Sequence, residues 1–136
     1  CQDISGLLQA LQGHSVNIET NGSLDITPYF AYPHVWFTVD YKSVSSQMAD
    51  RMLAKNFSAL RPQDVLKFVV GSTADLQQAW DVCRMYRPAC PIYVGPVYGQ
   101  IEAAQIVEFM KTHRLTSWKL QLQLHKYIWD PNQRGV

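Results

Sequence analysis

Short groups of polar residues follow apolar or aromatic runs along the chain and could supply a binding pocket. Glu19–Ser23 follows the first run and Asp40–Ser43 follows the second. Gly71–Thr73 follows the third run, and His125–Tyr127 follows the fifth. Carboxylates, amides, an ammonium and an imidazole can bind polar ligands. If the runs are parallel strands, these groups meet at the edge where α/β sheets bind ligands. The spacing therefore predicts a shared polar pocket, but it does not specify a reaction.

Each polar group also has a purely structural interpretation. Asn21-Gly22 is a common turn dipeptide. Asp40 and Lys42 could form a local ion pair, and His125 could be a strand-end histidine without a role. The sequence contains no G-x-S-x-G, H-E-x-x-H or G-x-x-x-x-G-K pattern, so no nucleophile elbow, zinc-protease motif or phosphate loop is indicated.

Composition and charge exclude several classes of protein. The 136 residues are 47% hydrophobic and 17% charged, which predicts one folded domain rather than a disordered chain. The 12 basic and 11 acidic side chains nearly cancel, so electrostatics favour neither a nucleic-acid nor a membrane partner. The 3 cysteines include Cys83 and Cys90 at a spacing that indicates neither a disulfide scaffold nor a zinc site.

The polar groups would be positioned by strand-like runs that alternate with helical patterns. Such alternation predicts an α/β fold with a mostly parallel sheet, about half of a full (β/α) barrel. The expected strands are Val16–Thr20, His34–Val39, Val65–Val70, Ile92–Val97 and Trp118–Leu124. The expected helices are Asp3–Leu11, Gln47–Leu60, one capped by Ser72 or Thr73 and ended by Pro88, and one opened by Gly99.

Local features add further predictions. His34–Val39 is apolar nearly throughout, which predicts a strand covered on both faces. Tyr29–Pro33 is expected to be a loop, and Pro96 is expected near the end or edge of its strand. The chain starts at Cys1 and places a helix before its first strand, so we expect a preceding part of the protein.

Several segments together resemble one enzyme family. The run Trp118–Val136, with its L-Q-L-H-K sequence, resembles the end of the 7-carboxy-7-deazaguanine synthases, which are radical S-adenosylmethionine enzymes. Ile18–Ser23 resembles their fourth-strand E-T-N-G motif, and Thr38–Lys42 resembles the following strand. Gly95–Glu102 resembles the penultimate strand and the start of its helix. The resemblance runs in order over nearly the whole chain.

The resemblance implies a partial (β/α) barrel of the radical S-adenosylmethionine type. Members bind a [4Fe–4S] cluster, S-adenosylmethionine and Mg²⁺, and they convert 6-carboxy-5,6,7,8-tetrahydropterin to 7-carboxy-7-deazaguanine with loss of ammonia. The resemblance further implies a cytoplasmic, homodimeric carbon–nitrogen lyase. The cluster cysteines and the G-G-E-P motif that belong to the N-terminal half do not occur here, and Cys1, Cys83 and Cys90 lack the cluster spacing. We therefore expect residues 1–136 to be the C-terminal part of one barrel domain, inactive when alone.

The same resemblance assigns binding roles to particular positions. No residue is assigned a certain catalytic role, and no metal ligand is expected in this chain. The expected substrate-binding residues are Thr20, His125 and Val136. The residues expected to bind S-adenosylmethionine are Glu19, Asn21, Ser23, Asp40 and Lys42.

Two alternatives stay open at the level of sequence. One is a radical-activating enzyme that acts on a glycine of a partner protein, since such enzymes share the E-T-N-G motif. The L-Q-L-H-K sequence argues against it. The other is a non-catalytic binding module that lacks the cluster.

Overall fold

The computed structural model describes residues 3–41, 52–131 and 133 of the chain, and within them strands alternate with helices. The strands are β1 (Val16–Thr20), β2 (Val35–Tyr41), β3 (Val65–Val70), β4 (Ile92–Pro96) and β5 (Trp118–Leu120). The helices are α1 (Ser5–Ala10), α2 (Ala54–Ala59), α3 (Thr73–Tyr86), α4 (Ala103–Thr112) and α5 (His125–Ile128), with a 3-10 helix at Thr27–Ala31. No helix in the described part is long and apolar enough to cross a lipid bilayer.

The strands form a single parallel sheet in the order β1-β2-β3-β4-β5. Each strand therefore lies beside its neighbours in sequence, and the order never reverses. A doubly wound sheet reverses its strand order at the ligand crevice, whereas a (β/α) barrel adds strands in sequence. The expected α/β fold with a parallel sheet is confirmed, and the strand order is that of a barrel segment.

One face of the sheet carries the hydrophobic core. Successive side chains of a strand point to opposite faces, and on this face Val35, Phe37 and Val39 of β2 are buried. Leu66, Phe68 and Val70 of β3 are buried in the same core. Helices α1 to α4 cover this face through Leu8, Phe57, Leu76, Ala79 and Ile106.

The opposite face, called the open face here, has a different composition. The residues on this face are Asn17, Glu19, Trp36, Thr38, Asp40, Val65, Lys67, Val69, Tyr93, Gly95 and Lys119. Trp36, Thr38 and Asp40 of β2 are half-buried, so in the described part of the chain the expected cover of this strand on both faces is only partial. The reason is that α1 to α4 all contribute to the core on the other side.

A buried carboxylate joins the start of β2 to the turn before β3. Asp64 Oδ1 accepts hydrogen bonds from Phe37 N at 2.9 Å and from Arg61 Nη2 at 3.0 Å. Its Oδ2 accepts from Arg61 N at 2.7 Å and Nε at 3.0 Å. The guanidinium also donates to Val35 O at 2.9 Å and lies 4.1 Å from the centre of the Phe30 ring. These hydrogen bonds are buried or charge-assisted, and such bonds are strong. They therefore hold β2 and the turn before β3 in fixed relative positions.

The last strand is shorter than expected. It ends at Leu120 rather than Leu124, and residues 125–128 form a single helical turn. Gln121 N still donates to Val94 O at 2.8 Å. In a parallel ladder the next bond would come from the N–H of residue 96, and Pro96 has none. The proline therefore ends the pairing, and it lies at the end of β4, as expected.

Helix starts also differ from the expectations. Helix α2 begins at Ala54, because Leu53 is extended and its N–H donates to Gly22 O at 2.9 Å. Residues 47–51 of the expected helix lie outside the described residues. Helix α4 begins at Ala103 rather than Gly99, because Glu102 and Gln105 form a capping box there. The expected cap of α3 is confirmed at Ser72, whose hydroxyl accepts from Asp75 N at 3.2 Å.

The segment between β1 and β2 contains helix where a loop was expected. The 3-10 helix Thr27–Ala31 has Pro28 near its start and overlaps the expected loop Tyr29–Pro33. Proline suits the first turn of a helix, since its missing N–H has no partner to lose there.

Candidate functional site

A cleft of about 350 Å³ lies on the open face toward the carboxyl ends of β3, β4 and β5. Lys67 and Val69 of β3 line it together with Gly95 and Pro96 of β4. The segment Gln121–His125, which leaves β5 and enters α5, supplies the other wall. The cleft therefore lies near the carboxyl edge of the sheet, where parallel α/β folds bind ligands.

The lining of the cleft combines apolar residues with hydrogen-bonding groups. Val69 and Gly95 supply apolar surface, and Lys67, Gln121 and His125 supply nitrogen atoms that can donate. Asp and Glu are absent from the described residues that line the cleft. Such a lining suits a ligand that has both apolar and polar surface and carries negative charge.

Gly95 is required by the close approach of β4 and the segment after β5. A Cβ atom placed on Gly95 would overlap the carbonyl oxygen of Gln121. Without a side chain, this position lets the Gln121 backbone cross beside β4. The crossing places residues 121–125 along the cleft.

His125 is half-buried in the cleft wall and begins α5. Its carbonyl oxygen accepts from Trp129 N at 3.1 Å, and Lys126 N donates to Gln123 O at 2.9 Å. The Lys126 ammonium donates to Pro131 O. These contacts hold the helical turn that carries the imidazole, so the turn positions His125 beside the cleft. Its binding role stays a prediction.

The E-T-N-G segment forms a tight turn at the end of β1. Thr20 Oγ1 accepts from Gly22 N at 3.2 Å, and Asn21 Oδ1 accepts from Ser23 N at 3.1 Å. Gly22 has a φ of +68°, and a Cβ there would lie 3.1 Å from Val39 Cγ1. The turn therefore requires glycine both for its backbone conformation and for its contact with β2.

Asn56 holds this turn from the helix side of the sheet. Its side chain is completely buried in α2. Its Nδ2 donates to Gly22 O at 3.0 Å and to Leu24 O at 2.7 Å. Its Oδ1 accepts from Ile26 N at 3.4 Å. Sequence reasoning missed Asn56, because one amide in a short helix gives no signal of contacts 30 or more residues away.

The structure separates some of the expected site residues. Glu19 and Asp40 lie on the open face, Glu19 exposed and Asp40 half-buried. Thr20 pairs with Val39, so its side chain leaves on the helix-covered face and borders a second cavity of about 360 Å³. Thr20 and His125 therefore border different cavities and are not brought together.

The remaining expected residues lie near β1 or outside the described part. Asn21 is exposed and Ser23 half-buried in the turn after β1. Lys42 and Val136 lie outside the described residues. The binding roles of all these residues stay predictions.

Sequence reasoning also missed Lys67, Gln121 and Gln123, which line the cleft. Lys67 left a signal, since it is the charged residue in the otherwise apolar strand Val65–Val70. Gln121 and Gln123 were placed inside a longer strand, where they would alternate with leucines and carry no functional signal.

Two cysteines, Cys83 and Cys90, lie in the described residues, fewer than the four thiolates that hold a typical iron–sulfur cluster. Burial raises the pKa of the Cys83 thiol to about 12, and the nearby Cys90 adds to the shift. Burial likewise raises the pKa of Cys90 to about 11. Among the residues that the structure describes, no group of at least three His, Cys, Asp or Glu side chains could hold a metal ion. No chemical step is therefore assigned here to a cluster or to Mg²⁺.

The fold and the site together define a class. A parallel sheet in strictly sequential strand order is a segment of a (β/α) barrel, and the polar cleft lies at the edge where such barrels bind ligands.

Comparison with curated proteins finds relatives that share one name. A 7-carboxy-7-deazaguanine synthase from Clostridium acetobutylicum is 43% identical over 124 residues, which is 89% of this chain and 56% of that protein. One from Chlorobaculum tepidum is 38% identical over 138 residues, which is 96% of this chain and 61% of that protein. One from Leptospira interrogans is 32% identical over 123 residues, which is 88% of this chain and 50% of that protein. Over most of its length the chain is therefore similar to 7-carboxy-7-deazaguanine synthases.

The chain spans about half to three-fifths of the length of these relatives. Six curated proteins match, and each carries the same synthase name. These enzyme names give no support to the radical-activating alternative or to the non-catalytic module. No protein-family model and no solved structure matches the chain.

Proposed function

We propose that residues 1–136 are the C-terminal part of the single barrel domain of a 7-carboxy-7-deazaguanine synthase. The full-length parent is a carbon–nitrogen lyase that converts 6-carboxy-5,6,7,8-tetrahydropterin to 7-carboxy-7-deazaguanine with loss of ammonia. The observation that carries the proposal is the cleft beside His125, whose apolar residues and hydrogen-bonding wall suit a polar heterocycle. The similarity to the synthases selects a pterin among such heterocycles.

In this proposal the chain's own residues bind and orient the substrate. The pterin ring lies against Val69 and Gly95, and Gln121, Gln123 and His125 bind its polar edge. An imidazole and amides can donate to or accept from the ring nitrogens and the carbonyl of a pterin. Because α5 and the Gln121 crossing hold this wall, the ring is oriented before any chemistry begins. Thr20 and Val136 are the remaining members of the proposed substrate-binding set, and the Thr20 side chain borders the second cavity rather than the cleft.

The proposed cofactor residues follow β1 and β2. Glu19, Asn21 and Ser23 belong to the β1 end, and Asp40 and Lys42 belong to the β2 end. These side chains suit S-adenosylmethionine, because a carboxylate accepts hydrogen bonds from ribose hydroxyls and an ammonium pairs with the cofactor's carboxylate. When bound, S-adenosylmethionine supplies the radical chemistry. The [4Fe–4S] cluster and Mg²⁺ are bound by parts of the parent outside this chain, so the chain alone is inactive.

The proposed parent is a cytoplasmic homodimer, as the family resemblance implies. The strands at the two ends of the described sheet, β1 and β5, each have one paired neighbour. Unpaired strand edges associate readily. In the parent, other barrel strands or a second copy cover them.

The test uses the full-length open reading frame that contains this chain. The protein is purified anaerobically, reconstituted with iron and sulfide, and supplied with S-adenosylmethionine, a reductant and 6-carboxytetrahydropterin. The expected result is 7-carboxy-7-deazaguanine, identified by mass spectrometry. A reconstituted protein that cleaves S-adenosylmethionine but leaves the pterin unchanged would refute the proposal.

A matched pair of variants tests the cleft. His125→Gln is expected to lower kcat/KM at least about tenfold, since it removes an imidazole from the ligand wall. His14→Gln, at an exposed position outside the cleft, is expected to leave kcat/KM unchanged. Equal activities of the two variants would show that the substrate binds elsewhere. Residues 1–136 alone are expected to form no cluster absorbance and no product, and turnover by this piece would contradict the inactivity.

A further inference from the structure

A lysine on the central strand lies at the bottom of the cleft. Lys67 occupies the open face of β3, opposite Asp40 of β2 and Tyr93 of β4 in the strand register. Its neighbours along the strand, Leu66 and Phe68, point into the core on the other face. Lys67 is half-buried, and it forms no ion pair with any residue that the structure describes. A partly desolvated ammonium of this kind is stabilised by an anion.

The rest of the cleft lining offers no carboxylate to neutralise this charge. The lining residues other than Lys67 are apolar, amide-bearing or imidazole-bearing within the described chain. The amide and imidazole nitrogens of Gln121, Gln123 and His125 add further donors on the opposite wall. In the part of the chain that the structure describes, Asp40, the carboxylate opposite Lys67 on β2, lies outside this lining and forms no ion pair with Lys67. The charges that line the cleft therefore favour an anionic ligand over a cationic one.

A second lysine on the open face lies in a different environment. Lys119 of β5 is exposed, and its Nζ lies 5.4 Å from the centre of the Tyr93 ring. It does not line the cleft. Water and the aromatic face already stabilise its charge. Lys67 and Lys119 therefore form a matched pair, one inside the cleft and one beside it.

We propose that the Lys67 ammonium binds the carboxylate of the pterin substrate. This inference rests on the proposed function and adds a specificity-determining residue to it. An ammonium–carboxylate pair shielded from water by the cleft is stronger than an exposed pair. The pair also selects 6-carboxylated pterins over pterins that lack the acid group, because binding the latter leaves the ammonium uncompensated.

The experiment measures equilibrium binding by the full-length protein, with fluorescence titration as the readout. The probes are 6-carboxypterin and pterin, which differ by the carboxylate. Wild type is expected to prefer 6-carboxypterin. Lys67→Met, which keeps the length of the side chain and removes the charge, is expected to weaken 6-carboxypterin binding by about 10- to 100-fold. Its affinity for pterin is expected to stay within about twofold of wild type.

Two controls accompany that variant. Lys119→Met removes the neighbouring charge and is expected to change neither affinity more than about twofold. Lys67→Arg keeps the charge and is expected to restore part of the preference for 6-carboxypterin. If Lys67→Met does not fold, as judged by circular dichroism, Lys67→Gln takes its place.

The outcomes separate this inference from the proposed function. Equal weakening of both probes by Lys67→Met would assign Lys67 a structural role and overturn the inference, while the proposed function stands. Loss of S-adenosylmethionine affinity with unchanged 6-carboxypterin affinity would assign the ammonium to the cofactor's carboxylate and also overturn it. A wild-type protein that binds neither pterin would refute the proposed function itself, and the role of Lys67 with it.

Discussion

Replacing Asn56 with alanine tests whether a buried amide on α2 holds the turn after β1. The Asn56 side chain makes hydrogen bonds to Gly22 O at 3.0 Å, to Leu24 O at 2.7 Å and to Ile26 N at 3.4 Å. Each such bond contributes about 0.5–1.5 kcal/mol net, and the long bond lies at the weak end. Gly22 O keeps a second donor in Leu53 N. Asn56→Ala is therefore expected to lower the free energy of opening this turn by about 2–4 kcal/mol.

The assay is amide hydrogen exchange of the full-length protein, followed by mass spectrometry of peptides that cover residues 21–27. A loss of about 2–4 kcal/mol corresponds to roughly 30- to 700-fold faster exchange when opening is at equilibrium. Ser58→Ala, at an exposed position in the same helix, is the matched control and is expected to change exchange little. Equal exchange in the two variants would show that the turn is held by its own glycine and side-chain contacts.

Further predictions concern the core, a close backbone approach and the thiols. Asp64→Ala is expected to destabilise the protein by about 3–5 kcal/mol in urea unfolding, because it leaves a half-buried guanidinium unpaired. Gly95→Ala is expected to cost about 1–3 kcal/mol in the same assay, whereas Gly13→Ala, with open space around it, should be nearly neutral; equal effects would refute the close approach. At pH 8 an alkylating reagent should modify Cys83 and Cys90 at least about 100-fold more slowly than free cysteine, because burial raises the pKa of both thiols. Since these pKa values lie above the unfolded value of 9.0, their contribution to stability should be lost as pH rises from about 9 toward 12.

The arrangement of strands followed from the sequence because each strand has a strong local signal. The run Val65–Val70 is short, apolar and β-branched, and it forms β3 with the expected bounds. The end of β5 did not follow, because its limit depends on Pro96 in another strand. The alternating leucines after Trp118 predicted that β5 continues to Leu124. That continuation requires a backbone N–H at residue 96 of β4, and Pro96 has none. Local patterns therefore identified the strands, whereas the length of the last strand depended on its neighbour.

The candidate site followed from the sequence only in part. The polar ends of β1, β2 and the last segment were expected at one edge, and His125 does line a cleft there. Thr20 was expected in the same pocket, but its position in β1 directs it to the opposite face. The side chain of a strand residue points to one face or the other according to register, and a shift of one residue reverses the face. The alternation in Val16–Thr20 already places Thr20 on the same face as the apolar Val16 and Ile18, and the rule that ligands bind at strand ends does not take this alternation into account.

The two faces of the sheet explain why Lys67 was overlooked and why it matters. In β3 the residues that point into the core, such as Leu66 and Phe68, supply the stability of the sheet. The residues between them point to the open face and contribute little to that core, so they are free to vary in chemistry. A charged residue at such a position does not destabilise the core. It needs a partner of opposite charge once a barrel encloses the face, because burying an unpaired charge is unfavourable. The charged residues of the open face therefore indicate the chemistry of the ligand better than the polar loops do. At Lys67 they predict that the ligand carries an anionic group.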